Sequence, residues 1–148
     1  MFSHLAHSTC QSELHFEFEL AEEVVIPETV FQECTGQNDM PGAQSIIDAV
    51  LPGRIRKVAD PDIGMLQDID DLDIREACAI SLAATMKSSI LIDDAIGREV
   101  AKAHRISVIG GCGILLMAKQ RGLIAEVKPV IDAWQKMIRE TPNKCQKQ

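Results

Sequence analysis

A chain of 148 residues, 46% hydrophobic and 25% charged, is long enough for one domain with a real core and too apolar to be disordered. No apolar run reaches the ~18–20 residues needed to span a bilayer, and the start MFSHLAHSTC has neither the basic nor the apolar region of a signal peptide, so no membrane association is expected. The five cysteines (Cys10, Cys34, Cys78, Cys112 and Cys145) are odd in number, widely spaced and free of any CxxC pair, which argues against a disulfide framework or zinc site and for a cytoplasmic protein. The net charge of −7 weighs against nucleic acid, yet residues 1–53 contain no Lys or Arg, and from Asp94 onward basic residues outnumber acidic ones. Such a cationic half could attract a phosphate backbone, or could simply be solvated helix faces.

In chain order, Leu14, Phe16, Phe18 and Leu20 alternate with polar residues as in a strand, although Leu14 and Phe18 also suit a short helix. Val24 to Ile26 reads as a strand leading into a short helix, with Pro27 where that helix begins and Glu28 in its first turn. Val30 and Phe31 should face inward, and Glu33 lies about 1.5 turns in. Residues 35–42 are a loop by composition. Ala43 to Leu51 is helical and stops at Pro52-Gly53, and Ile55 to Val58 is a short basic strand suited to a sheet edge. The acidic, turn-rich stretch that follows ends at Asp73, a good N-cap for a broadly buried helix over Ile74 to Lys87 that includes Ala77, Ile80 and Ala84. Glu76 falls in its first turn, where the helix dipole favours negative charge and Asp73-x-x-Glu76 forms a capping-box spacing.

Residues 88–113 hold the most informative pattern. Ser89 to Ile92 is an apolar strand stopping at Asp93 and Asp94. Ala95 to His104 is a helix with Ile96, Val100 and Ala103 on one side. Ile106 to Ile109 is a second strand, closed by Gly110, Gly111 and Gly113. Such a βαβ unit is parallel and places both strand ends on one sheet edge, where open α/β sheets bind ligands. Ile114 to Gln120 and Glu126 to Glu140 are the last helices, with Gly122 as a stop and Trp134 as a core anchor, before a frayed tail over 141–148. The alternation of strands and helices predicts an α/β layered fold in a single domain over 1–140.

Two carboxylates ~4 Å apart repel by ~1 kcal/mol in water and by more when partly buried. A hard dication such as Mg²⁺ or Mn²⁺ relieves that repulsion with oxygen ligands and can activate water at a phosphodiester. Glu33, Glu76, Asp93 and Asp94 could converge on such an ion if their helices open near the same edge. Other chemistries fit less well. Too little chain follows Asp94 for a response-regulator receiver, and the glycines after Ile109 break the GxGxxG pattern with Leu116. His4 and His7 have no nearby carboxylate, and no Ser-His-Asp or Cys-His arrangement is recognisable.

The string REACAISLAATMKSSILIDDAIGREVAKAHRISVIGGCGILLMAKQRGLIAEVKPVIDAW resembles a prokaryotic group of PIN domains related to VapC toxins, and EEVVIPETVFQEC resembles the second strand and following helix of the same family. The resemblance implies a PIN-like three-layer α/β fold with a mostly parallel sheet flanked by helices, and a Mg²⁺- or Mn²⁺-dependent ribonuclease acting on RNA. It implies an antitoxin protein or a homodimer as partners. By position it makes Glu33, Glu76, Asp93 and Asp94 metal ligands, with Glu33, Glu76 and Asp94 catalytic, Asp94 the more direct participant of the pair and Arg98 a family arginine. Three departures stand out. No counterpart of the opening strand and its Asp is found before Glu13, the small residue before the central Glu is Arg75, and Gly111-Cys112 replaces a hydroxyl residue. These departures leave a second reading: a truncated or degenerate member that binds nucleic acid or protein without catalysis.

Overall fold

The computed structural model describes residues 20–36 and 43–140, so the readings of residues 1–19, of the loop over 37–42 and of the tail over 141–148 lie outside the described residues. The first strand, β1 (Val24–Pro27), is buried along its whole length. Pro27, at φ −64 and ψ 153, is both its last residue and the N-cap of α1 (Glu28–Thr35). Proline's fixed φ suits that junction, and its missing N–H leaves no donor unsatisfied there. Val30 is fully buried and Phe31 half-buried. Helix α2 (Ala43–Val50) turns Ala43, Ile46 and Ala49 inward and stops at Gly53, whose φ is 78. Strand β2 (Ile55–Val58) runs parallel to β1, with Val24 opposite Ile55 and Pro27 opposite Val58. Its Arg56 and Lys57 are exposed, as an edge strand requires.

Within the acidic stretch the chain makes a 3₁₀ turn at Gly64–Asp68 that turn-forming composition alone did not reveal. Helix α3 (Ile74–Met86) follows, N-capped by Asp73, whose carboxylate accepts from the Arg75 N–H at 2.8 Å. Ala79, Ile80 and Ala83 have no exposed surface. Ala84 is exposed, because the buried stripe runs through those three neighbours instead. Small side chains let α3 pack closely on both β1 and the next strand, β3 (Ile90–Leu91).

β3 is parallel to β4 (Val108–Ile109), with Ile90 opposite Val108. Ladder bonds from Ile90 N–H to Ser107 and from Ile92 N–H to Ile109 extend the pairing at 2.9 and 3.0 Å. Between them α4 (Ala95–Ala103) buries Gly97 and Ala101. Ile96 and Val100 are only half-buried and Ala103 is exposed, so the inward face is one residue round from the apolar set in the sequence. Helix α5 (Gly111–Gln120) begins inside the glycine cluster rather than after it, and α6 (Lys128–Glu140) closes the fold.

The α/β class and the parallel pairing agree with the sequence. Among the described residues, however, the pairing divides into two sheets, β1-β2 and β3-β4. Leu91 of β3 nevertheless shares a core cluster with Val24, Ile26 and Ile55 of the other sheet. No described helix is long and apolar enough to cross a membrane.

Candidate active site at the acidic strand ends

The first turn of α3 is the crossing point of the acidic rim. Asp73 is its N-cap, Arg75 its second residue and Glu76 its third. Arg75 reaches across 42 positions of sequence to donate from Nη1 to Glu33 Oε1 at 2.6 Å. The same guanidinium donates from Nε to Asp73 Oδ1 at 2.5 Å and from Nη2 to Asp73 Oδ2. Hydrogen bonding to Asp73, partly opposed by burial, and then the charges of Glu33, Asp73 and Glu76 raise the proton affinity of Arg75, so it is a permanent cation.

Glu76 is 7% exposed and is the one buried charged residue among those described. It lies in the first turn of α3, at the positive end of the helix dipole. Its carboxyl carbon would lie 3.5 Å from a Cβ placed on Gly97, while the same Cβ would collide with Ile92 Cδ1. Any larger residue at position 97 would require Ile92 to shift. Asp94 caps α4 by accepting the Gly97 N–H on Oδ2 at 2.8 Å. Glu76 and Asp94 thus approach the same residue, one from α3 and one from the end of β3.

Asp93 turns the other way. Its Oδ1 accepts the Gly111 N–H at 2.9 Å, across 18 residues, and so caps α5. A Cβ on Gly110 would sit 2.9 Å from Asp93 Oδ1 and 3.3 Å from Arg98 Nη1, so carboxylate and guanidinium flank that glycine. Asp93 and Arg98 line a cleft of about 430 Å³ together with Ile109, Cys112, Leu116 and Gln120.

Two acidic residues of the rim were not singled out by sequence reasoning as part of a charged site. Asp60, just beyond β2, accepts the Thr29 N–H at 2.9 Å and also the Thr29 hydroxyl, capping α1. Asp73 was read as a cap but also holds Arg75. A carboxylate two residues after a strand, as at Asp60, is the signal that could have found the first.

Carboxylate oxygens are the right donors for Mg²⁺ or Mn²⁺. Among the described residues no three His, Cys, Asp or Glu side chains gather closely enough to hold an ion. Glu33 is held by Arg75, Asp93 by Gly111 and Asp94 by Gly97, and Glu76 and Asp94 converge on Gly97.

Searches of curated proteins and of solved structures returned no match. The family model DUF3368, described as a PIN domain, matches residues 8–143, nearly the whole chain. The parallel strands, the acidic residues at their ends and this match agree, and the chain belongs to the PIN-domain family.

Proposed function

We propose that the chain acts on RNA phosphodiesters as a Mg²⁺- or Mn²⁺-dependent PIN ribonuclease, with Glu76 and Asp94 at the centre of its site. PIN-domain membership points to nuclease-type function in general, and PIN domains generally use divalent metals. The observation that carries the reading is the approach of Glu76 and Asp94 to Gly97, beside the end of β3. Glu33 and Asp93 are the further ligands of this proposal, once their present partners release them. An antitoxin-type protein and a second copy of the chain are partners within the same proposal.

The test is cleavage of end-labelled single-stranded RNA in excess Mn²⁺ by the wild type and by Asp94→Asn. Asparagine caps helices as well as aspartate does, so the variant should fold. Cleavage is expected to fall at least ~100-fold in the variant, the scale of losing one group that acts in the transition state. Equal rates would overturn the assignment. The pairing of Arg75 with Glu33 favours a second reading, a PIN-like protein that binds RNA without cutting it. That reading predicts RNA retained intact, with or without Mn²⁺, by both proteins.

A further inference from the structure

The geometry points to Arg75 as the resident counter-ion of the acidic rim, a guanidinium that neutralises Glu33 in place of a divalent ion and keeps such an ion out. The inference rests on reading that rim as the metal site of a PIN domain.

Arg75 donates to Glu33 and, through two further nitrogens, to both oxygens of Asp73. It is the second residue of α3, immediately before Glu76, in the first turn that Asp73 caps. It also feels the charge of Glu76. One cation therefore answers three carboxylates, of which it touches Glu33 and Asp73 directly. Half-buried at 37% side-chain exposure, the guanidinium is screened less than a fully solvated charge.

A guanidinium and a hard dication meet carboxylates differently. The planar fork takes Asp73 edge-on through paired N–H donors, and its remaining nitrogen occupies Oε1 of Glu33. An ion of the Mg²⁺ or Mn²⁺ class needs oxygens at about 2.1 Å in near-octahedral array, and its charge would repel an arginine held against the same carboxylate. The two cations compete for Glu33. Glu76 and Asp94 alone supply too few protein oxygens for a site with no substrate bound. Opening the site requires Arg75 to swing away from Glu33, and a phosphate group arriving in the cleft is the anion best suited to draw it off.

Calorimetric titration of Mn²⁺ into the full chain, wild type against Arg75→Ala, tests this directly. Alanine is favourable in a helix, and Asp73 keeps its backbone cap on residue 75. Arg75→Gln provides a second, longer uncharged side chain should the alanine variant fold poorly, and circular dichroism confirms the fold of each. Mn²⁺ should bind at least ~10-fold more tightly to both variants than to the wild type, and Glu76→Gln added to Arg75→Ala should abolish the gain. Equal, tight binding to wild type and variants would overturn the role of Arg75 while leaving the metal-site reading intact. No binding to any of them would overturn both.

Discussion

At the residue scale, charges reach one another over distances that spacing cannot display. Glu33 and Arg75 are 42 positions apart and in direct contact. The sequence shows an arginine where a PIN-like pattern carries a small residue, but only the fold shows which carboxylate it holds. Asp93 and Asp94 are adjacent in the chain and were legible as a pair, yet they serve different helices, because consecutive residues at a strand end point to opposite sides. Cys34, next to Glu33, is 1% exposed. Burial, and then the Glu33 charge, push its thiol up from 9.0 to about 12, with Arg75 opposing. The unfolded chain would lose that proton near pH 9, whereas the native state keeps it to about pH 12. The contribution to stability is therefore complete below pH 9 and is lost as pH rises towards 12, with a slope of ~1.4 kcal/mol per pH unit. Urea unfolding across that range should show stability falling less steeply in Cys34→Ala than in the wild type. Equal slopes would mean that this thiol ionises alike in both states.

At the scale of elements, most boundaries follow from capping chemistry. Asp73 and Asp94 start α3 and α4 where a side-chain acceptor can meet the free N–H groups of a first turn; Asp73 was readable in advance as a cap, whereas Asp94 was read as half of an acidic pair. The start of α5 was not readable. Gly110, Gly111 and Gly113 look like a turn, and the acceptor that lets a helix begin there is Asp93, supplied by another strand. The inward face of α4 was misread for a related reason: Gly97 and Ala101 are small enough to let α3 approach, and small residues carry a weak hydropathy signal. α3 ends on Lys87, held at φ 52 and ψ 39, a left-handed conformation that disfavours any side chain. Replacing Lys87 with Gly should stabilise the protein by ~0.5–1 kcal/mol. Thermal melts would show the midpoint rising by a few degrees, and a lowered midpoint would mean that Lys87 makes a compensating contact.

At the scale of the whole molecule, the α/β class was legible because buried strands are continuous apolar runs and helices are not. The division into two sheets was not legible, since pairing between distant strands leaves no local pattern. What joins the halves is α3, which packs on β1, α1, β3 and α4, together with Leu91, which projects from β3 into the core of the β1-β2 half. Leu91→Ala should cost ~2–4 kcal/mol through the cavity it leaves. Native-state hydrogen exchange should then show faster opening at Val25 and Ile26 as well as at Ile92. Faster exchange confined to the β3-β4 pair would show that the halves open separately.

Gly111 has a consequence for the far end of the chain. A Cβ there would lie 3.0 Å from Asp93 Oδ2 and 3.4 Å from the Trp134 ring, so an acid and an indole both border this one residue. The terminal helix thereby braces the strand end from behind: whatever tilts Trp134 also shifts the N–H that orients Asp93, although no charge on that helix need touch the acid.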